Sequence, residues 1–289
     1  MIALPSAPPH PADAARRPSS PREGGEEIAP APGGPPALET RGLTVRFGGH
    51  IAVNAVSCAF RPGTLTCIVG PNGAGKTTYF NLVSGQIAPS AGTILLGGED
   101  VTRTPVARRA LRGLGRAFQL TTLFPQLSVA ENVRLVAQAR RGFGLSLLSL
   151  WSARREAIEE ADRCLERVAL LERRGSVAAA LPHGDQRKLE VAMLLALDPD
   201  VFMFDEPTAG MSVDEVPVIL DLIGEIKARR DKTVLLVEHK MDVVRSLADR
   251  IVVLHNGRLV ADGPPAEVIQ SAVVQEAYLG VPAGGGARA

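Results

Sequence analysis

The sequence predicts an α/β fold with a parallel core sheet and an inserted block of helices. Two apolar segments, "DVFMFDE" and "KTVLLVEH", flank the helical pattern "VDEVPVILDLIGEIKARR". A strand, a helix and a second strand in this order are typical of two parallel strands joined by a crossover. The chain from Leu38 is rich in strand patterns, whereas its middle has the three- and four-residue apolar spacing of helices. We therefore expect a folded domain over residues 38–282, with the helical block at about residues 120–190.

The predicted elements follow one another in a clear order. Strand patterns in "LTVRF", "IAVNAVSCAF", "TLTCIVG" and "GTILLGG" precede helical patterns in "PVARRALRGLGRAF", "SVAENVRLVAQARRGFG" and "ARREAIEEADRCLERVALLERRG". Near the end, "RIVVLHNGRLVADGPPAEVIQ" predicts a hairpin that turns on Asn256 and Gly257, followed by a helix. No internal repeat is visible, which indicates one copy of the folded unit.

The two ends of the chain have a different texture. Residues 1–37 are crowded with Pro, Ala, Gly and charged residues and lack hydrophobic periodicity. Such a segment buries too little apolar surface to offset the entropy of ordering, so we expect a disordered tail. It also lacks the apolar core of a secretory signal. Residues 283–289 are predicted to be a flexible C-terminus.

Composition restricts the classes of function. The 32 basic and 31 acidic residues give a formal charge of +1, so no overall field attracts the protein to nucleic acid, and no nucleic-acid partner is expected. The longest apolar runs are shorter than the roughly 20 residues that span a bilayer. Cys58, Cys67 and Cys164 follow no metal-ligand spacing and are predicted to be reduced thiols in the core.

A glycine-rich segment after an apolar strand pattern fits the phosphate-binding motif G-x-x-x-x-G-K-[ST]. Its glycines let the backbone curl so that several N–H groups face one point, and the following helix adds the positive end of its dipole. Lys76 supplies a charge for the β and γ phosphates of a nucleotide, and Thr77 offers a hydroxyl to Mg²⁺. The predicted nucleotide-binding residues are Gly70, Pro71, Asn72, Gly73, Ala74, Gly75, Lys76, Thr77 and Thr78.

An acid pair ends the strand pattern "VFMFDE". The carboxyl end of a strand in an open α/β sheet opens toward the ligand, so Asp205 is predicted to hold Mg²⁺, through water. Glu206, beside it, is predicted to be the general base that polarises an attacking water. The pair alone is weak evidence, but in combination with the phosphate-binding motif it strongly supports a site that hydrolyses a nucleotide phosphate with Mg²⁺ as the metal.

Five segments occur in the order and spacing of an ABC-type ATPase domain, which the chain after its tail resembles: "GPNGAGKTT", "FQ" at Phe118 and Gln119, "LPHGDQRK", "FDEP" and "VEH". The resemblance implies a P-loop nucleotide-binding domain with a parallel core sheet, an antiparallel β subdomain and a helical subdomain. It implies that Phe47 stacks on adenine, that Gln119 links Mg²⁺ and water to the transporter interface, and that His239 contacts the γ-phosphate.

Two segments depart from the family pattern. The signature L-S-G-G-Q is replaced by Leu181 to Asp185, so Pro182 stands where a serine hydroxyl would reach the γ-phosphate of ATP on a second subunit. Proline brings neither hydroxyl nor N–H, whereas the N–H groups of His183, Gly184 and Asp185 remain at a predicted helix start. Either the His183 side chain replaces the serine, or Pro182 and Asp185 only start the helix. Ser212 stands where the pattern has an aspartate.

Smaller features resemble the ATP-binding subunits of branched-chain amino acid importers. They are "AGM" after the acid pair, "VEHKMDVV", a closing "AYLG", and the extra segment "RRGFGLSLLSLWSARR". This resemblance implies a peripheral subunit on the cytoplasmic face of the cell membrane. Its partners would be membrane permeases, a second ABC ATPase and, indirectly, a periplasmic or extracellular solute-binding protein.

Other functions fit parts of the pattern. Urea or amide importers and lipopolysaccharide exporters carry similar ATPases. A soluble ABC protein acting on ribosomes or DNA is disfavoured, because such chains usually have two ATPase units or a long coiled coil. An ATP sensor without hydrolysis is disfavoured by Glu206, although Pro182 and Ser212 keep this alternative open.

Overall fold

A computed structural model describes residues 35–117, 123–141, 150–271 and 274, without the side chains of residues 150–154. Phe118, Gln119, the segment 142–149 and the "AYLG" sequence lie outside the described residues, as do residues 1–34 of the predicted tail and the predicted C-terminus.

Strands and helices alternate along most of the chain. The strands are β1 (Leu38–Phe47), β2 (His50–Phe60), β3 (Leu65–Val69), β4 (Ala91–Leu96), β5 (Glu99–Asp100), β6 (Leu114–Ala117), β7 (Val201–Asp205), β8 (Thr233–Val237), β9 (Arg250–His255) and β10 (Arg258–Gly263). The helices are α1 (Lys76–Ser84), α2 (Val106–Leu111), α3 (Val129–Arg140), α4 (Leu150–Arg167), α5 (His183–Leu197), α6 (Val216–Ala228), α7 (Met241–Leu247) and α8 (Pro265–Gln270).

Within the described residues the strands form two sheets. A four-stranded sheet has the order β2-β1-β4-β5 and is antiparallel. A six-stranded sheet has the order β10-β9-β3-β8-β7-β6 and is parallel except for its hairpin strand β10. The predicted crossover from β7 through α6 to β8 and the predicted hairpin are therefore both present.

The parallel sheet is buried on both faces, as its unbroken apolar strands require. In β7, Phe202 and Phe204 pack into a core shared with the helices, whereas Val201 and Met203 face a second core shared with the antiparallel sheet. All five residues of β7 are buried. The carboxyl ends of β3, β7 and β8 consequently meet at one edge, where the phosphate-binding segment and the acid pair are placed.

Helix α1 is fixed between the two sheets. Tyr79, Phe80 and Leu82 are at most 1% exposed and pack in the second core. The Tyr79 hydroxyl is 3.0 Å from Oγ1 of Thr40 on β1, which satisfies two polar groups in an otherwise apolar layer. This packing fixes the first residue of α1, Lys76, relative to the sheet edge.

One predicted element is wrong. The helical pattern "PVARRALRGLGRAF" contains only the short helix α2, and its second half forms the edge strand β6. Gly113 follows α2 with a positive φ of 94°, and a Cβ on Gly115 would lie 2.4 Å from Leu194 on α5. Pairing with β7 and close packing against α5 thus override the local helix preference.

The prediction of buried, reduced cysteines agrees with the structure. Cys58, Cys67 and Cys164 are all buried and form no disulfide bond. Burial raises the pKa of each thiol to about 12, so they are protonated near neutral pH. In the part of the chain that the structure describes, no helix combines the length and apolarity needed to cross a bilayer.

Candidate nucleotide site

The phosphate-binding segment forms an open loop between β3 and α1. Gly73 and Gly75 have φ angles of 80° and 97°, in the left-handed region that favours glycine. A Cβ on Gly75 would lie 2.5 Å from the Ala52 carbonyl oxygen, so the close approach to β2 also requires glycine. Helix α1 begins at Lys76 with no acidic residue in its first turn. Its N–H groups and dipole are therefore available to an anion.

Lys76 lies inside this loop. It is 6% exposed, and its Nζ donates to the carbonyl oxygens of Gly70 at 2.7 Å and Pro71 at 3.0 Å. Burial lowers the pKa of the ammonium group, while the nearby carboxylates of Glu206 and Asp205 act in the opposite direction. The loop thus holds a positive charge where the motif predicts contact with phosphate.

Asp205 ends β7 and forms a buried ion pair. Its Oδ2 accepts a hydrogen bond of 2.7 Å from Arg116 on β6, and the two side chains are 6% and 7% exposed. Burial raises the pKa of Asp205, and the positive charge of Arg116 opposes this rise. The sequence prediction placed Asp205 in the site but did not include Arg116, which is 89 positions away.

Glu206 and His239 meet at the same edge of the sheet. Nε2 of His239 is 2.6 Å from Oε1 of Glu206, and both side chains are about 40% exposed. Glu206 has φ of 52°, an uncommon angle for a residue with a long side chain. Its backbone N–H donates to the Val237 carbonyl oxygen, which fixes this conformation. The pair brings together a carboxylate and an imidazole that are both accessible to water.

Glu238 is a buried carboxylate that binds the backbone of His239. This carboxylate is 3% exposed, and its Oε2 accepts from the backbone N–H groups of His239 at 2.7 Å and Lys240 at 3.2 Å. Its Oε1 accepts from the Thr208 hydroxyl at 2.7 Å. Glu238 therefore connects the loop after the acid pair with the backbone of His239. The segment "VEH" marked this position, but only His239 was assigned from it.

The segment "LPHGD" starts helix α5. Pro182 is the N-cap residue in an extended conformation, and His183 is the first helical residue. The N–H groups of His183, Gly184 and Asp185 therefore lie in the first turn, where they have no partner within the helix. The His183 ring is close to Gly210, since a Cβ there would lie 3.4 Å from Cε1 and Nδ1. The imidazole thus faces the loop that follows the acid pair in the same chain.

One residue from each departure, Asp185 and Ser212, belongs to a shared ionic network. Lys188 on α5 is 3.1 Å from Oδ1 of Asp185 and 2.9 Å from Oε1 of Glu215. The other Glu215 oxygen accepts from the N–H and the hydroxyl of Ser212, at 3.1 and 3.0 Å. A Cβ on Gly184 would lie 2.5 Å from that oxygen, so glycine permits this approach. Asp185 and Ser212 are thus joined through Lys188 and Glu215, neither of which the sequence identified.

The other predicted residues lie on two different elements. Thr77 and Thr78 are in the first turn of α1, and Phe47 ends β1 with half of its surface exposed. The loop of residues 70–75, Asp205, Glu206 and His239 follow or end neighbouring strands of one sheet. Gln119 lies outside the described residues.

Comparison with known proteins gives the same fold. Residues 53–209 match the family model for ABC transporters, and residues 258–284 match that for the branched-chain amino acid ATP-binding cassette transporter. The solved ADP conformation of an ATP-binding cassette of an ABC transporter is similar at a TM-score of 0.71 with 29% identity. That similarity covers 85% of this chain and 99% of the solved chain.

Curated relatives are similar over nearly their full length. The high-affinity branched-chain amino acid transport ATP-binding protein LivG of Escherichia coli K12 is 40% identical over 251 residues, which cover 85% of this chain and 98% of LivG. BraF of Pseudomonas aeruginosa, with the same descriptive name, has the same identity and coverage.

Fold and site together define a nucleotide-binding ATPase of the P-loop class. The chain belongs to the ABC transporter family. The predicted ABC-type fold and the predicted class of ATP hydrolase are thereby confirmed, and membership implies membrane permease partners.

Proposed function

We propose that this chain is the ATP-binding and hydrolysing subunit of a membrane importer for branched-chain amino acids. Its relatives LivG and BraF are named for this transport, and residues 258–284 match the corresponding family model. The observation that carries hydrolysis is the 2.6 Å contact between Glu206 and His239, next to the phosphate-binding loop.

The nucleotide-binding residues act by charge and by backbone N–H groups. The loop of residues 70–75 and the start of α1 would surround the phosphates, with the Lys76 ammonium at the β and γ positions. Lys76 donates to two carbonyl oxygens of its own loop, and these hydrogen bonds hold its ammonium group within the phosphate-binding loop. Phe47 would stack on adenine, which its exposed ring at the end of β1 supports.

The donor set of the site fits Mg²⁺. Asp205 and Thr77 offer hard oxygen ligands, which Mg²⁺ prefers, and Gln119 would add an amide oxygen. Among the described residues there is no group of three or more His, Cys, Asp or Glu side chains that suits a metal. Mg²⁺ does not require one, since it commonly binds one or two protein oxygens, substrate phosphates and several waters. When bound, it would neutralise charge on the phosphate oxygens.

The reaction is an attack of water on the γ-phosphate. Glu206 would accept a proton from the water as its oxygen bonds to phosphorus and the bond to the ADP oxygen breaks. His239 would hold the Glu206 carboxylate and contact the γ-phosphate, in the position that Glu238 fixes through the backbone. Lys76 would stabilise the negative charge on the phosphates.

A second ATPase subunit would complete each site. The first turn of α5, with His183, Gly184 and Asp185, would face the γ-phosphate of ATP on that subunit. Permeases would dock on the helical subdomain, and the chain would lie on the cytoplasmic face of the membrane. A solute-binding protein outside that membrane would deliver the amino acid.

The test is ATP hydrolysis by the full chain reconstituted in lipid with its permeases and companion ATPase. Glu206→Gln should lower turnover by about 100- to 10,000-fold, the contribution of a general base, while ATP binding remains. Glu172→Gln makes the same change at an exposed carboxylate and should have no effect.

Three outcomes are informative. Turnover that depends on Glu206 and rises with binding protein loaded with leucine, isoleucine or valine supports the proposal. Stimulation by urea or an amide instead would contradict the solute class. ATP that is bound but never hydrolysed by the assembly would show an ATP sensor.

A further inference from the structure

Arg116 forms a hydrogen-bonded ion pair with Asp205, the predicted metal-binding carboxylate. It is not part of any of the family motifs. It lies on edge strand β6, two residues before Phe118. Its NH2 group donates to Oδ2 of Asp205 at 2.7 Å, and its side chain is 7% exposed. In the described part of the chain, the carboxylate of Asp205 accepts a hydrogen bond only through Oδ2.

The guanidinium group is held from its other side by α1. NH1 donates to Oδ1 of Asn81 at 2.7 Å and to the Ser84 hydroxyl at 3.0 Å. The Phe80 ring lies under the cation, 5.4 Å from Cζ to the ring centroid. These contacts do not depend on Asp205. The cation is therefore fixed to the helix that starts at the phosphate-binding loop, and a metal arriving at Asp205 would not release it.

We propose that Arg116 is a positioning residue for Mg²⁺ in the ATPase site, an inference that rests on the proposed function. It holds one oxygen of Asp205 and leaves the other for the metal or its water. Groups that orient metal-ligating carboxylates commonly contribute 10- to 100-fold in metal affinity. Because Arg116 is bonded to both α1 and β7, it also keeps the metal-binding carboxylate in register with the phosphate-binding loop.

Arg109 on α2 provides a matched control, because it also supports helix α1. It is 1% exposed, and its NH1 donates to the carbonyl oxygens of Leu82 and Val83, in the last turns of α1. Like Arg116 it is a buried arginine that supports α1, but its hydrogen bonds go to backbone carbonyls and not to Asp205. A loss of general support for α1 should affect variants of both arginines, whereas a change in metal binding should affect only Arg116.

The experiment measures the affinity of the full chain for a fluorescent, non-hydrolysable ATP analogue, once with divalent metal chelated and once with saturating Mg²⁺. The affinity with saturating Mg²⁺ divided by the metal-free affinity reports the contribution of the metal. Arg116→Gln should lower this ratio about tenfold and leave the metal-free affinity nearly unchanged. Arg116→Lys should give an intermediate value, because one ammonium group cannot span Asp205 and Asn81 together. Arg109→Lys should lower only the unfolding temperature.

A second readout is Mn²⁺ binding followed by electron paramagnetic resonance in the presence of the analogue, which should weaken only in the Arg116 variants. Should Arg116→Gln fail to fold, Arg116→Lys and Asn81→Ala decide, since Asn81→Ala loosens the guanidinium without removing its charge. An unchanged ratio in these variants, or a wild-type ratio of one, overturns the inference. Absence of analogue binding by the wild type under both conditions contradicts the proposed function itself.

Discussion

Residues 70–78, Asp205, Glu206 and His239 keep the family pattern, whereas residues 181–185 and Ser212 depart from it. The first set, the nucleotide-binding half, would contact the ATP that this chain itself binds. The second set, the partner-facing half, would contact a nucleotide on another subunit. The family pattern is thus kept in the half that would bind the nucleotide of this chain, and it is broken in the half that would face a second subunit.

The two halves also differ in how their side chains are held. In the nucleotide-binding half, Lys76 bonds to carbonyl oxygens of its own loop, Asp205 bonds to Arg116 on the neighbouring strand β6, and the backbone of His239 bonds to the buried carboxylate of Glu238. In the partner-facing half, the contacts join the unusual residues to one another through Lys188 and Glu215. Asp185 and Ser212, which depart from the family pattern, are thus connected to each other within this chain by a local network.

The largest effect is expected in the nucleotide-binding half. His239→Ala removes the group 2.6 Å from Glu206 and should lower turnover by about 100-fold or more, as the loss of one oriented donor typically does. Steady-state hydrolysis by the reconstituted assembly measures this, with ATP affinity as the control for folding. A variant within a factor of three of the wild type would contradict the catalytic assignment of His239.

The next effect is expected on stability in the partner-facing half. Lys188→Met leaves Asp185 and Glu215 without their shared cation, and the three side chains are 11%, 11% and 25% exposed. The free energy of unfolding should fall by about 2 kcal/mol, between values for exposed and buried pairs. Urea denaturation measures it, with the exposed Lys240→Met as the matched control. Equal stability of both variants would show that the network contributes nothing.

A smaller effect is expected from His183→Ala. If the His183 side chain replaces the missing serine, turnover of the assembled transporter should fall by about five- to tenfold, the net value of one typical hydrogen bond. ATP binding by the isolated chain should not change, since the contacted nucleotide belongs to the other subunit. Unchanged turnover would leave the backbone N–H groups of α5 as the anion-binding feature and reduce Pro182 to the start of the helix.

The smallest effect is on the pH dependence of stability. Hydrogen bonds from Lys188 and Ser212 hold the pKa of Glu215 below its usual value. A carboxylate with a lowered folded-state pKa stabilises the protein above its unfolded pKa, and this contribution is lost as pH falls through the folded value. Unfolding measured below pH 5 should therefore show a shallower decline for Glu215→Gln than for wild type. Parallel curves would contradict the assignment.

Much of the nucleotide-binding half could be predicted because its residues are contiguous. Gly70 to Thr78 carries its own backbone geometry, and the strand–loop–helix context needed to recognise it is local. Asp205 and Glu206 follow directly from the end of a buried strand. The same local reasoning failed for "LGRA", which lies in a helical sequence pattern but forms strand β6. Pairing with β7 and packing against α5 decide the conformation of this segment.

The sequence by itself determined the fold class, the phosphate-binding loop, the acid pair, and the two places where the family pattern is broken. Tertiary structure alone decided that Arg116 holds Asp205, that Glu238 connects Thr208 with the backbone of His239, and that Lys188 and Glu215 join Asp185 to Ser212. A motif is visible when its chemistry depends on adjacent residues. The contacts that connect different elements link residues 27 or more positions apart. No short sequence pattern contains such a pair, and only the packing of strands and helices brings its two residues together.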